Sequence, residues 1–243
     1  MNMNKRGSHV GIILSFVIFV TFIIFLYSAL QPSMNLEGGK QAMLDFLKKE
    51  FLNKMIGDMT ELSVRIDEVK ITSKCVKLTG LQNKTGIGKK IIVKNENNEK
   101  RKYYIERNGD LSIDRKDLSE TFFKIYYSEE FMNENSAVSS PCNPADETKK
   151  EYTLGNIRTK EYIFQSLLKK MMDDYEVDYD SVKEMMKVPP GNDFGFSFKN
   201  STGGIIKTGD VDKQTNVYAE EISVNYVDQN ANVLPGFISI NVW

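Results

Sequence analysis

Few residues of this chain have the types and spacing for chemistry. There are two cysteines, Cys75 and Cys142, too few for a cysteine metal cluster. With about 66 residues between them, two readings stay open: a disulfide, or one buried and one exposed free thiol. The single histidine, His9, lies at the edge of a long apolar run, so the rest of the chain has no imidazole for acid–base or nucleophilic catalysis. Asn83-Lys84-Thr85 and Asn200-Ser201-Thr202 match the N-glycosylation acceptor pattern, and both are expected in turns. Asp173, Asp174, Glu176, Asp178 and Asp180 crowd five acids together, but the spacing fits no EF-hand and lacks its glycine. They read as a solvated connection between helices. Gly86-Ile87-Gly88-Lys89-Lys90 imitates a phosphate loop, yet Asn83 stands where a glycine is needed and Lys90 where Ser or Thr is needed. No catalytic, cofactor-binding or metal-binding set emerges. The expectation is a protein that is not an enzyme and needs no cofactor.

Residues 10–30, VGIILSFVIFVTFIIFLYSAL, carry no charge over 21 positions. A helix rising about 1.5 Å per residue spans a hydrocarbon core of roughly 30 Å with that length. A removable secretory signal would have a shorter apolar core and a small-x-small exit. The exit here, Tyr27-Ser28-Ala29-Leu30-Gln31-Pro32, is a poor one, so the reading is a retained transmembrane helix. Lys5 and Arg6 precede it, which places residues 1–9 in the cytoplasm and the C-terminal ectodomain outside the cell membrane. Beyond the run, 30 basic residues face 33 acidic ones, so no nucleic-acid partner is expected. Gly7, Gly11 and Ser15 recur every four residues, a strip through which helices of a homo- or hetero-oligomer could pack in lipid.

Lys5-Arg6-Gly7-Ser8 followed by this helix resembles the class III signal of archaeal type IV pilin-like proteins, a largely uncharacterised group. The resemblance covers about 25 residues. It implies cutting by a membrane peptidase between Gly7 and Ser8, with the apolar helix kept as an assembly core. It also implies a long N-terminal helix laid on an antiparallel meander. One departure bears on filament assembly more than on cutting: the fifth mature position, often Glu in such proteins, is Ile12.

The elements that must position these residues follow from periodicity. After Pro32 and Ser33, residues 36–59 predict a second helix with Met43, Phe46, Leu47, Phe51, Met55, Ile56 and Met59 on one face. Strands are predicted at 62–71, 74–82, 89–94, 101–107 and 121–127, with an Asn108-Gly109 type I′ hairpin. Residues 136–152 read as a linker within a Pro- and Ser-containing stretch. Helices over 157–175 and 179–187 follow, the latter capped by Asp178 or Ser181, then strands at 194–199, 204–208, 217–226 and 233–242. The expected fold is α+β: a transmembrane helix, then amphipathic helices packed on antiparallel sheets. It divides into 31–135 and 153–243 about the linker. The leading functional expectation is a pilin-like, membrane-anchored surface protein whose ectodomain serves assembly or binding. The alternatives are an accessory or sensing subunit of an envelope complex, and an anchored extracytoplasmic hydrolase.

Overall fold

The computed structural model describes residues 8–134, 136–138, 141–208 and 217–243, with backbone alone for 8–10 and 29–38. The apolar run and the helix after it form one element, α1 (Ser8–Met55). Pro32 and Ser33, expected to separate two helices, lie inside it. A helical proline removes one backbone bond and crowds the carbonyl four residues back. Here that carbonyl belongs to Ser28, the last residue of the apolar window. Leu44, Leu47, Phe51 and Met55 are buried at three- and four-residue spacing. Phe46 and Ile56, placed on the same face by the sequence, are each 39% exposed. Ile56 and Met59 fall in a strand, because the helix ends at Met55.

That strand, β1 (Ile56–Ile66), starts with no intervening loop. β2 (Cys75–Leu78) and a short helix, α2 (Leu81–Thr85), replace the single strand expected over 74–82. Gly80 divides them at φ +67°, a conformation that favours glycine. Val69 is 85% exposed in a turn, where Asp67 accepts the N–H groups of Val69 and Lys70, so the first strand does not resume. β3 (Ile91–Asn95), β4 (Tyr103–Ile105), β5 (Leu111–Asp114) and β6 (Phe122–Tyr127) fall close to expectation. The β4–β5 hairpin is not type I′, because only Gly109 of the Asn-Gly pair takes positive φ. The Gly109 N–H donates to the Glu106 carbonyl and the Glu106 N–H to the Asp110 carbonyl. This is a three-residue loop closed by a glycine bulge.

Much of the expected linker, from Asn143 onward, forms regular elements. β7 (Asn143–Ala145) pairs parallel with β2, and a 3-10 turn follows at Glu147–Lys149. β8 (Tyr152–Phe164) then takes residues expected to open a helix, and α3 (Gln165–Val177) starts only after it. α4 (Tyr179–Met185) is capped by Asp178, which accepts the Ser181 N–H at 3.0 Å. β9 (Phe194–Lys199), β10 (Ile205–Lys207), β11 (Tyr218–Val227) and β12 (Val233–Val242) complete the chain.

The large sheet has the order β10-β9-β12-β11-β8-β1-β6-β3, and a smaller one runs β4-β5-β2-β7. Among the described residues, pairing is antiparallel except for two short parallel ladders, β2–β7 and β8–β11. Two main cores result. In one, Leu44, Leu47, Phe51 and Met55 of α1 pack with α3, α4 and β9, β11 and β12. In the other, the small sheet (Val76, Leu78, Tyr103, Leu111, Ile113) covers Leu62, Val64, Ile91, Val93, Phe123 and Ile125 of the large one. The cores do not separate at 136–152, because β7 and β8 on either side of the turn both pair with earlier strands. They separate at Met55–Ile56 and again at Phe164–Gln165. Residues 56–164 are thus a module inserted between α1 and α3.

Candidate functional site

Gly11–Ser28 is a window of mean hydropathy 2.5, with none of it buried against the rest of the chain. Phe16, Phe19, Phe25 and Tyr27 are each at least 60% exposed. A bare apolar helix in water would be strongly unfavourable, and a bilayer removes that cost. Its polar side chain at Thr21 is satisfied internally, the hydroxyl donating within the helix to the carbonyls of Val17 (3.0 Å) and Ile18 (2.9 Å). Such back-bonding is what hydrocarbon demands. Nothing lies within 4 Å of where a Gly11 side chain would start, and Ser15 is exposed, so this part of the small-residue strip faces outward. Gly7 lies outside the described residues, as does the side chain of Ser8, whose backbone opens α1.

The structure joins Cys75 to Cys142, with Cα atoms 4.5 Å apart and the two residues 67 positions apart in sequence. The bond sits where Val76 pairs with Asn143, so it fastens β7 to β2 beside their parallel ladder. Cross-linking a loop of this length stabilises by roughly 2–4 kcal/mol, chiefly by restricting the unfolded chain. Cys142→Ser is expected to lose that amount, measured as a lower denaturant midpoint than the oxidised parent. The reduced parent should fall to the same value. Asn83 is exposed on α2 rather than in a turn. Asn200 is half-buried in the β9–β10 hairpin, where its side-chain oxygen accepts the N–H groups of Thr202 and Gly204.

Three charged groups that sequence reasoning passes over are buried. Glu120 is 7% exposed and accepts from the Arg101 guanidinium, the Asn95 amide at 3.0 Å and the Lys116 N–H at 2.8 Å. Burial pushes its carboxyl up, but these donors outweigh burial and hold it at about 2. Arg115 donates to the carbonyls of Ile71, Ser73 and Leu118, which ties the β5–β6 connection to the turn before β2. Lys94, 3% exposed on β3, donates to the side-chain oxygen of Asn232 at 2.7 Å and the Ala231 carbonyl at 3.3 Å. Its ammonium also sits 5.4 Å from the centre of the Tyr126 ring. Burial lowers its pKa; Asp228 opposes that shift, while Lys100 and Lys124 add to it. Spacing gives no signal for these roles, since a lone charge in a short strand or a connection normally reads as solvent-facing.

The acidic run lines a groove of about 300 Å³ between α3 and α4, with Val177, Val182 and Met185 among its walls and Asp173, Asp174 and Asp178 beside them. Asp178 is already engaged as the α4 cap. Among the described residues no group of three or more His, Cys, Asp or Glu is placed to hold a metal ion. Gly86 ends α2 and a strand follows, so the Gly86–Lys90 segment has no helix to receive a phosphate. Comparison with protein-family models, curated proteins and solved structures finds no match.

Proposed function

We propose that this chain is a single-pass, pilin-like surface protein of the cell membrane. In this reading it is non-enzymatic, with a cytoplasmic N-terminus and an outward-facing ectodomain for assembly or binding. The observation that carries the reading is the unbroken helix Ser8–Met55. Its first part is apolar and bare, and its last three turns supply Leu44, Leu47, Phe51 and Met55 to the ectodomain core. One rigid element therefore serves both as anchor and as structural member, so the ectodomain is held by the helix and not by a flexible tether. The antiparallel run β9–β12 against which α1 packs supports the same plan. Lys5 and Arg6 favour the orientation, and the outward strip of Gly11 and Ser15 is suited to close contact with a second helix.

Intact mass and N-terminal sequencing of the protein extracted from membranes test this reading. The expected mature chain starts at Ser8 and remains membrane-bound. A chain that keeps Met1, or one that lacks the whole apolar segment, overturns pilin-type processing. The same mass reports any sugar on Asn83 or Asn200.

A further inference from the structure

We propose that the inserted module, residues 56–164, pivots on the anchored lobe, and that Lys94 is the bolt that limits this motion. The anchored lobe consists of the last turns of α1 with α3, α4 and β9–β12. The two are joined by a small set of contacts. The chain crosses between them at Met55–Ile56, where helix becomes strand without a loop, and at Phe164–Gln165, where strand becomes helix. Ile56 and Ile163 are direct partners in the β1–β8 ladder, so both crossings lie side by side. Termini of elements are where hinges absorb backbone rotation. The large sheet is continuous across this point through only two residue pairs, Tyr226 with Ile163 and Val227 with Phe164. Among the described residues, every other strand pairing in the sheet lies wholly within the module or wholly within the anchored lobe.

The packing at the joint is correspondingly small. From the anchored lobe, Val227 and Ala231, with half-buried Leu167, meet Met59, Ile92, Tyr126, Phe131 and Phe164 of the module, and half-buried Ile163 of the module packs against the anchored lobe's core. The two main cores are each far larger. A slender contact between well-packed units makes relative motion the default. Lys94 opposes it. It projects from β3, at the far edge of the sheet order, yet its ammonium reaches the β11–β12 turn at Ala231 and Asn232. Asp228 holds that turn in place by accepting the N–H groups of Asn230 and Asn232. The lysine thus bonds across the joint from the module to the anchored lobe. The inference needs no assumption about filament assembly or processing.

Full-length protein in detergent provides the test, with Lys94→Met, which keeps the length and apolar stem, and Asn232→Ala, which removes the acceptor of the lysine together with the amide's own bond to Asp228. Hydrogen exchange should rise roughly tenfold at the joint amides of Phe164 and Val227 in both variants, while Val76–Leu78 and Ile238–Ile240 keep their protection. Spin labels at Glu96→Cys on the module and Glu184→Cys on α4 should give a broad distance distribution that widens further with Lys94→Met. Two results overturn the proposal: exchange that rises equally in both cores, which marks one cooperative block, or a single narrow distance unchanged by either variant. Should Lys94→Met fail to fold, Asn232→Ala alone decides between the same outcomes.

Discussion

Phe51→Ala is expected to destabilise the ectodomain by about 3–5 kcal/mol, the range for emptying a buried aromatic site. Phe51 is fully buried in the last turns of α1, and its ring centre lies 4.5 Å from that of Phe196 on β9. Phe196 in turn meets Tyr175 of α3 edge-on, so one ring joins the anchor helix, the sheet and α3. Little can collapse into the space, because helix and strand are both fixed by their own backbone bonds. Denaturant unfolding followed by near-UV circular dichroism should show the loss. Membrane retention should be unchanged, since the apolar window ends at Ser28. If Phe51→Ala unfolds no more readily than the parent, α1 is not a member of the ectodomain core.

Arg101→Ala is expected to cost a similar amount, about 3–5 kcal/mol, for a different reason. It leaves the Glu120 carboxylate buried without its counter-charge. In the parent, the Glu120 carboxyl titrates at about 2 in the folded protein, below its ordinary value of 4.5. A depressed folded pKa contributes stability that is fully present above the unfolded value. That contribution is lost as pH falls from about 4.5 towards 2. With Arg101 removed, the folded pKa of Glu120 should rise, and acid unfolding should begin at a higher pH. Glu120→Gln in the Arg101→Ala background should recover part of the loss, because a neutral amide needs no counter-charge. Acid titrations of the parent and the two variants, followed by fluorescence of Trp243 and by circular dichroism, check the order. If Arg101→Ala unfolds at the same pH as the parent, the pair is not what holds Glu120 ionised.

What is legible in the sequence is local. The apolar run stands out because 21 consecutive uncharged residues match the thickness of a bilayer and exceed what a secretory signal needs. Phe194, Phe196 and Phe198 announce β9 because every second residue faces the core. Residues 157–164, IRTKEYIF, are ambiguous. Their apolar residues suit the start of an α3-like stripe as well as a strand, and β1 settles the matter by pairing along them. The sequence misleads most on organisation. A Pro- and Ser-containing stretch resembles a boundary, but the module is bounded by a pairing between Ile56 and Ile163, more than a hundred positions apart. No composition window records such a pairing. Among site residues, Cys75 and Cys142 are visible as types, while spacing alone leaves their join open. Lys94, Arg101 and Glu120 are invisible, because the burial that gives them their roles is created by the tertiary fold.

The length of α1 sets a height. With Gly11–Ser28 in the bilayer, the first core residue, Leu44, comes 16 positions after Ser28, about 24 Å of helix at 1.5 Å per residue. The headgroup layer on one face of a bilayer is only about 5–8 Å deep. Under the proposed anchoring, the first core residue of α1 would thus lie well beyond the headgroups, measured along the helix.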